Sequence, residues 1–195
     1  MTAKARLVLA LLGVLLFAGC IATRVVRPEP DTFAQWTDHP QAPDPALAAI
    51  VLGGHSSCGD PQNPAPIRIL LQDRRTPFTA AFLFLTPTTF GGCVVSSASG
   101  GSSGGSGPIP PALTGPLSID DQGSGTAANG TITELGGRIG VDASQVVIEL
   151  ADGKKVFASV ANGYWLGWWP SETAATRVVA LDAAGAEVAS LAVTK

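Results

Sequence analysis

Short apolar segments separated by polar turns make up most of the chain after residue 66. The segments lie at 67–72, 78–85, 93–96, 146–150, 156–160, 164–169, 177–181 and 187–193. Residues typical of turns, mainly Gly, Pro, Asp and Asn, separate most of them. Segments of this length, without helical periodicity between them, predict a mainly β fold, either an antiparallel β-sandwich or a small barrel.

One short helix is predicted ahead of the strands. Asp44 has the side chain of a helix N-cap, and Pro45 suits the first helical position. Residues 46–52 continue the helix, and the glycines at 53 and 54 end it.

The segments on either side of Gly153 predict a hairpin of defined register. A two-residue turn would mix apolar and polar side chains on each face. A three-residue loop ending at Gly153 in the left-handed region keeps one face apolar. That register pairs Ile148 with Val156 and Val146 with Ala158.

Two polar stretches are predicted to lie outside the core. Arg74 and Arg75 fall in the turn between the first two strands, where solvent is expected to surround them. Residues 97–116 are almost entirely Gly, Ser, Pro and small apolar residues. Such a segment predicts a flexible loop, which could divide residues 44–195 into two small lobes, 44–96 and 117–195.

The single long apolar segment, residues 7–18, follows Lys4 and Arg6. This layout is typical of a membrane-targeting helix in an export signal. It ends at Cys20 in a sequence similar to a bacterial lipobox, which predicts cleavage after residue 19 and lipid attachment to Cys20. The alternative is an uncleaved single-pass anchor, because residues 7–23 contain no charge. Both place residues 44–195 on the outer face of the cell membrane, with 20–43 as a tether.

Charge and composition argue against a nucleic-acid partner. Without residues 1–19 the chain has 12 − 2 = 10 basic and 15 acidic residues, and no basic cluster. A nucleic-acid-binding surface needs clustered Lys and Arg. The predicted partners are the membrane and, beyond it, an envelope protein or a cell-wall polymer.

The remaining cysteines, Cys58 and Cys93, predict a disulfide, as expected for an exported chain. A metal site is the weaker alternative, because His39 and His55 are the only histidines available to complete it. The sequence predicts no metal and no cofactor.

Four aromatic residues near the C-terminus are the best candidates for ligand binding: Tyr164, Trp165, Trp168 and Trp169. Alternation along a strand places Tyr164 and Trp168 on one face and Trp165 and Trp169 on the other. One face could be an exposed platform for a sugar ring or an apolar peptide. The alternative is that both faces are covered, since tryptophan is highly buried on average.

Acidic residues give weaker signals. Asp120, Asp121 and Ser124 could offer oxygen ligands to calcium, but a solvated Gly-rich turn explains them more simply. Glu134 and Glu149 fall on predicted strands and could form a carboxylate pair. The hairpin register puts Glu149 on the outward face, which favours a role in solubility. No catalytic residue is therefore predicted.

Two stretches resemble a group of uncharacterised membrane-anchored or exported proteins of actinobacteria. The first is the turn at 73–78. The second extends from Asp152 and Gly153 through Trp168, Trp169 and Pro170 to the turn at 182–185, in the pattern DG…G..WWP…DA.G. The resemblance covers about 66–95 and 128–190, and it implies the β fold and the extracytoplasmic location without implying an activity.

These features predict a non-enzymatic, membrane-tethered β-domain that serves as a binding or structural module of the cell envelope. A carbohydrate-binding domain that uses exposed tryptophans is one alternative. A hydrolase of unrecognised type is another, and it would need a cleft containing a carboxylate or histidine with a shifted pKa.

Overall fold

The structure is a computed structural model that describes residues 33–53, 58, 65–98, 102–127, 130–140 and 142–194. The predicted signal or anchor segment, Cys20 and His55 lie outside these ranges. Within them, no helix is long and apolar enough to cross a membrane.

The described residues form one helix, α1 (Pro45–Leu52), and twelve strands. The strands are β1 (Arg68–Arg74), β2 (Thr79–Leu85), β3 (Thr89–Ser96), β4 (Ser102–Pro108), β5 (Asp121–Ala127), β6 (Gly130–Arg138), β7 (Gln145–Leu150), β8 (Lys155–Phe157), β9 (Ser159–Ala161), β10 (Tyr164–Trp169), β11 (Ala175–Leu181) and β12 (Glu187–Ala192). The mainly β class predicted from the sequence is confirmed.

The strands form three antiparallel sheets of four strands each. The N-terminal sheet has the order β1-β2-β3-β4, the central sheet β5-β6-β10-β9, and the C-terminal sheet β12-β11-β7-β8. In the described part of the chain each sheet has two free edges, so none closes on itself. The small-barrel alternative is therefore wrong.

The buried apolar side chains form three clusters, one at each junction between layers. Helix α1 packs on the N-terminal sheet through Leu47, Val51, Phe82 and Phe84, among others. The opposite face of that sheet packs on the central sheet through Leu83, Val94, Leu166 and Trp168. The central sheet packs on the C-terminal sheet through Leu135, Trp165, Ile148 and Val178. The central sheet is thus covered on both faces.

Helix α1 begins where the sequence predicts. The Asp44 side chain accepts a hydrogen bond from the Ala46 N–H at 2.8 Å, and Pro45 occupies the first turn. Leu47 and Val51, one turn apart, are both buried. The N–H of Gly53 closes the last turn by donating to the Ala49 carbonyl at 2.8 Å.

The predicted disulfide is present. Cys58 and Cys93 are bonded, with their Cα atoms 5.5 Å apart. Cys93 lies on β3 opposite Phe82 of β2. Both cysteines belong to the cluster between α1 and the N-terminal sheet, so the bond ties the segment after the helix to the middle of that sheet.

The prediction that 97–116 is a loop is wrong for its central part. Residues 102–108 form β4, paired with β3 from Thr89↔Pro108 to Val95↔Ser102. Lack of large side chains does not prevent backbone pairing, and here small residues are needed. A Cβ on Gly104 would lie 2.5 Å from the Cβ of Cys93.

The hairpin at Gly153 has the predicted register. Ile148 pairs with Val156, and the Ala158 N–H donates to the Val146 carbonyl at 2.9 Å. Gly153 has φ +83°, the left-handed conformation that the three-residue loop requires.

Candidate functional site

Strand β10 lies in the middle of the molecule, and both of its faces are covered. Trp168 and Leu166 face the N-terminal sheet, while Trp165 and Trp169 face the C-terminal sheet. The three tryptophans are at most 1% exposed. Between them, Gly167 allows the C-terminal sheet to approach, since a Cβ there would lie 2.7 Å from Cδ1 of Ile148.

Each of the three buried indoles donates its N–H to a backbone carbonyl. The acceptors are Ser118 for Trp165 at 3.0 Å, Asp73 for Trp168 at 3.0 Å and Thr173 for Trp169 at 2.8 Å. Through Trp165 and Trp168 the strand therefore connects elements that are distant in sequence by hydrogen bonds as well as apolar contacts.

The hypothesis of an exposed tryptophan platform is wrong. Trp165, Trp168 and Trp169 have no face open to a ligand, because the chain supplies a sheet for each side of β10. Tyr164 is half-buried, and its ring stacks on Phe90 with centroids 6.3 Å apart. The four residues act together in the core rather than at a binding surface.

A buried ion pair lies at the end of β1. Arg75 donates from Nε and Nη2 to Oδ2 of Asp73, at 2.9 and 2.8 Å, and both side chains are fully buried. Ser159 donates to the other carboxylate oxygen at 3.1 Å. Burial raises the pKa of Asp73 to about 6 against the opposing charge of Arg75, so the carboxylate is ionised at neutral pH.

The solvated turn predicted for Arg75 is therefore wrong. Its guanidinium also donates to the carbonyls of Thr37, Asp38 and Phe157, which lie on segments far apart in sequence. Arg74, by contrast, points outward and donates through Nε to the Ala42 carbonyl at 2.7 Å. Alternation along the strand separates the two arginines, and only a fold could show which one faces inward.

A second buried charged cluster joins β3, β5 and β6. Glu134 on β6 is 5% exposed and lies over its cross-strand partner Gly123, where an added Cβ would come within 2.9 Å of Oε1. Asp121 on β5 packs against Gly92, where a Cβ would lie 2.1 Å from Oδ2. Oε2 of Glu134 and Oδ2 of Asp121 are buried and accept no hydrogen bond from a described residue.

Both carboxyl groups have raised pKa values. Burial raises the pKa of Glu134 to about 8, and the charge of Asp121 adds to the effect. Burial also raises the pKa of Asp121 to about 6, against the opposing N–H of Gly92 and with a further contribution from Asp120. Glu134 is therefore largely protonated at neutral pH while Asp121 is largely ionised.

The predicted pairing of Glu134 with Glu149 does not occur. Glu149 lies on β7 of the C-terminal sheet, where it faces outward as predicted and forms ion pairs with Lys155 at 3.5 Å and Arg177 at 3.8 Å. The partner of Glu134 is Asp121. The sequence of residues 121–127 contains a pattern that indicates an inward-facing Asp121. Asp121, Gly123 and Gly125 alternate there with the polar residues Gln122, Ser124 and Thr126, as expected for the two faces of a strand.

The solvated turn predicted at Asp120 and Asp121 is also wrong. The carboxylate of Asp120 receives hydrogen bonds from Arg138 Nε at 2.7 Å and Nη2 at 3.0 Å, and from Ser118 at 2.7 Å. Asp121 points between two sheets. The described residues contain no group of three His, Cys, Asp or Glu side chains arranged to hold a metal ion.

A polar surface depression, here called the β5–β6 groove, lies on the face of the central sheet opposite Glu134. Its volume is about 500 Å³. Polar side chains of Gln122, Ser124 and Thr126 on β5 line it beside Thr131 and Thr133 on β6. Glu172 stands at one wall, and Leu135 and Trp169 contribute to the floor.

Two other grooves lie nearer the N-terminal segment. One, of about 690 Å³, is lined by Trp36, Pro170, Lys154 of the β7–β8 turn and Lys155 of β8, among others. The other, of about 560 Å³, lies between residues 39–43 and 157–161. Neither these two grooves nor the β5–β6 groove is lined by Asp121 or Glu134, so the carboxyl pair faces none of them.

No family model, curated protein or solved structure matches this chain.

Proposed function

We propose that the protein is a non-enzymatic, membrane-tethered β-sandwich domain on the outer face of the cell membrane, where it acts as a binding or structural module of the cell envelope. The observation that supports the location most directly is the Cys58–Cys93 disulfide, since such bonds persist in oxidising compartments. The apolar segment at 7–18 and the lipobox-like sequence at Cys20 support the tether.

The positions of the charged core residues support a non-enzymatic role. Asp73 and Arg75 are fully buried and bonded to each other and to backbone carbonyls. The Asp121–Glu134 pair has the raised pKa values that a hydrolase would need, but Glu134 is 5% exposed and packed against β5. A catalytic carboxyl group must reach its substrate. Binding through a surface groove is the better-supported activity.

Thiol chemistry and fractionation test the proposed location. In cells, Cys58 and Cys93 should resist alkylation until a reductant is added to the denatured protein, because they form a buried disulfide. The protein should also sediment with membranes and be digested by protease added to cells whose outer layers have been removed. Free thiols, or full protection from that protease, would overturn the location.

The mode of tethering is tested with a palmitate analogue and the variant Cys20→Ala. Lipidation at Cys20 predicts labelling of the unmodified protein and its loss in the variant. Labelling that persists would exclude Cys20 as the lipid site. Absence of labelling in both proteins, with membrane association retained, would favour the uncleaved anchor.

A further inference from the structure

The β5–β6 groove has a consistent chemical character. The side chains of Gln122, Ser124 and Thr126 are exposed and form no hydrogen bond within the described structure. They occupy alternate positions on β5, so Gln122 and Thr126 are about 13 Å apart along the strand. An edge strand thus presents a row of free amide and hydroxyl groups on one face.

The opposite row, on β6, is held in place by the protein. Thr131 donates its hydroxyl to Glu172 at 3.2 Å, and Thr133 donates to the Ser171 carbonyl at 2.7 Å. Each hydroxyl oxygen keeps lone pairs that can accept a further hydrogen bond. Ser124 lies opposite Thr133, and Thr126 opposite Thr131, so free and fixed hydroxyls face each other across the two strands.

Apolar surface lies beside these polar groups. Leu135 and Trp169 are buried beneath the groove, and Ala175 and Val193 form part of its wall. Among the described residues that line the groove there is no Lys or Arg, and Glu172 is the one charged side chain. The lining therefore offers hydrogen-bond donors, acceptors and apolar contact, without a cation to neutralise an anionic ligand.

We infer that the β5–β6 groove binds a neutral glycan chain. A neutral oligosaccharide has hydroxyl groups around each ring that donate and accept, and C–H faces that suit the half-buried Ala175 and Val193. The length of the polar row fits an extended chain better than a single ring. This inference rests on the proposed binding role and names its ligand class. The glycan contacts hydroxyl and amide groups, and the buried tryptophan rings take no part in its binding.

An anionic polymer fits this groove poorly. Recognition of phosphate or carboxylate groups in proteins typically uses Arg, Lys or clustered backbone N–H groups. The groove instead has the Glu172 carboxylate beside Thr131. The carboxylate would repel an approaching polyanion, so the charge of the groove favours neutral envelope glycans over anionic ones.

The experiment is a calorimetric titration of the full-length protein in detergent micelles. The neutral probes are cellohexaose and chitohexaose, and the anionic probe is a galacturonic acid hexamer. Thr126→Arg places a long side chain in the groove. Thr88→Arg is the matched control, because Thr88 is equally exposed but lies in the β2–β3 turn.

We expect the unmodified protein to bind at least one neutral hexamer. Thr126→Arg should weaken this binding by about tenfold or more, and Thr88→Arg should leave it unchanged. Equal binding by both variants would place the glycan elsewhere and overturn the inference. Binding of the galacturonic acid hexamer alone would overturn the assignment to neutral glycans.

Absence of binding to every probe, by protein whose disulfide and circular dichroism show that it is folded, would also overturn the inference. The proposed function is judged separately by membrane association and protease access, so the proposed function and the glycan-binding inference can fail independently.

A Glu172→Gln variant adds a second check, because the exposed carboxylate accepts hydrogen bonds without supporting the core. Weaker binding of the neutral probe by this variant is expected, and unchanged binding would place the sugar away from Glu172.

Discussion

Buried ionisable side chains distinguish this molecule at the scale of single residues. Arg75, Asp73 and Glu134 are all at most 5% exposed, although the chain has an unusually small fraction of charged residues, 14%. The charges of Arg75 and Asp73 neutralise each other, and Arg75 also donates hydrogen bonds to three backbone carbonyls. Glu134 has no cation beside it in the described part of the chain and remains largely protonated at neutral pH, because burial and the charge of Asp121 raise its pKa to about 8. The two sites therefore respond differently to mutation and to pH.

Removal of the Asp73 carboxylate should strongly destabilise the fold. Asp73→Ala leaves the fully buried Arg75 guanidinium without its counterion, which typically costs about 3–5 kcal/mol in the free energy of unfolding. Urea denaturation measures this loss. The control is Asp152→Ala, which breaks an exposed ion pair with Lys154 and should change stability much less. Similar losses in both variants would contradict the structural role of Asp73.

Glu134 should make the protein less stable at alkaline pH. Its folded pKa of about 8 lies above the unfolded value of 4.5, so the folded state binds more protons between these pH values. The stabilisation is fully present below the unfolded pKa and is lost as pH rises through 8. From pH 7 to pH 9 the free energy of unfolding should fall by roughly 1–2 kcal/mol.

Glu134→Gln provides the control for this pH dependence. The amide is nearly isosteric and does not ionise, so the fall in stability between pH 7 and pH 9 should largely disappear. Urea denaturation at several pH values measures both proteins. An equal fall in the two proteins would show that another group causes it.

At the scale of the elements, small residues determine how the sheets approach one another. Strands β3, β4 and β5 contain many Gly and Ser residues, and their backbones come close enough for carboxyl groups to fill the remaining space. A Cβ on Gly125 would lie 2.6 Å from Oγ of Ser103 on β4. In these strands the Gly- and Ser-rich sequence therefore allows close packing, because the side chains are small or absent.

Gly92→Ala tests this packing. The new Cβ would lie 2.1 Å from Oδ2 of Asp121, so the buried carboxylate or one of the two strands must shift, at a cost of about 1–3 kcal/mol in the free energy of unfolding. Gly105→Ala on β4 is the matched control, because its Cβ would meet nothing within 4 Å.

The double variant Gly92→Ala/Asp121→Gly completes the test by removing the side chain in conflict. Gly92→Ala should cost less in the Asp121→Gly background than in the unmodified protein, and urea denaturation of the four proteins gives the difference. An equal cost in both backgrounds would mean that Gly92 does not contact Asp121.

At the scale of the whole molecule, the central sheet explains why the C-terminal half is so apolar. Most sheets of antiparallel proteins have one solvated face. Here the N-terminal and C-terminal sheets cover opposite faces of β10, which is consistent with its almost continuous apolar sequence. Toward β5, at one edge, a face of the sheet emerges into solvent, and the β5–β6 groove lies there.

The sequence alone determined the features that depend on neighbouring residues. Asp44 and Pro45 specify the start of α1, and the left-handed Gly153 specifies the hairpin register, because caps and turns are set by a few adjacent side chains. The pairing of Cys58 with Cys93 followed from the number of cysteines. Short apolar segments likewise determined the mainly β class.

Tertiary structure decided what each strand face meets. Alternation separates Trp165 from Trp168 but does not say that a sheet covers each of them, and it does not say whether Arg74 or Arg75 faces the core. The same holds for β5, whose inward Asp121 and outward Ser124 look alike in a Gly-rich sequence. Local patterns define faces, whereas contacts between residues as far apart as Trp36 and Trp168, 132 positions, determine which faces are buried.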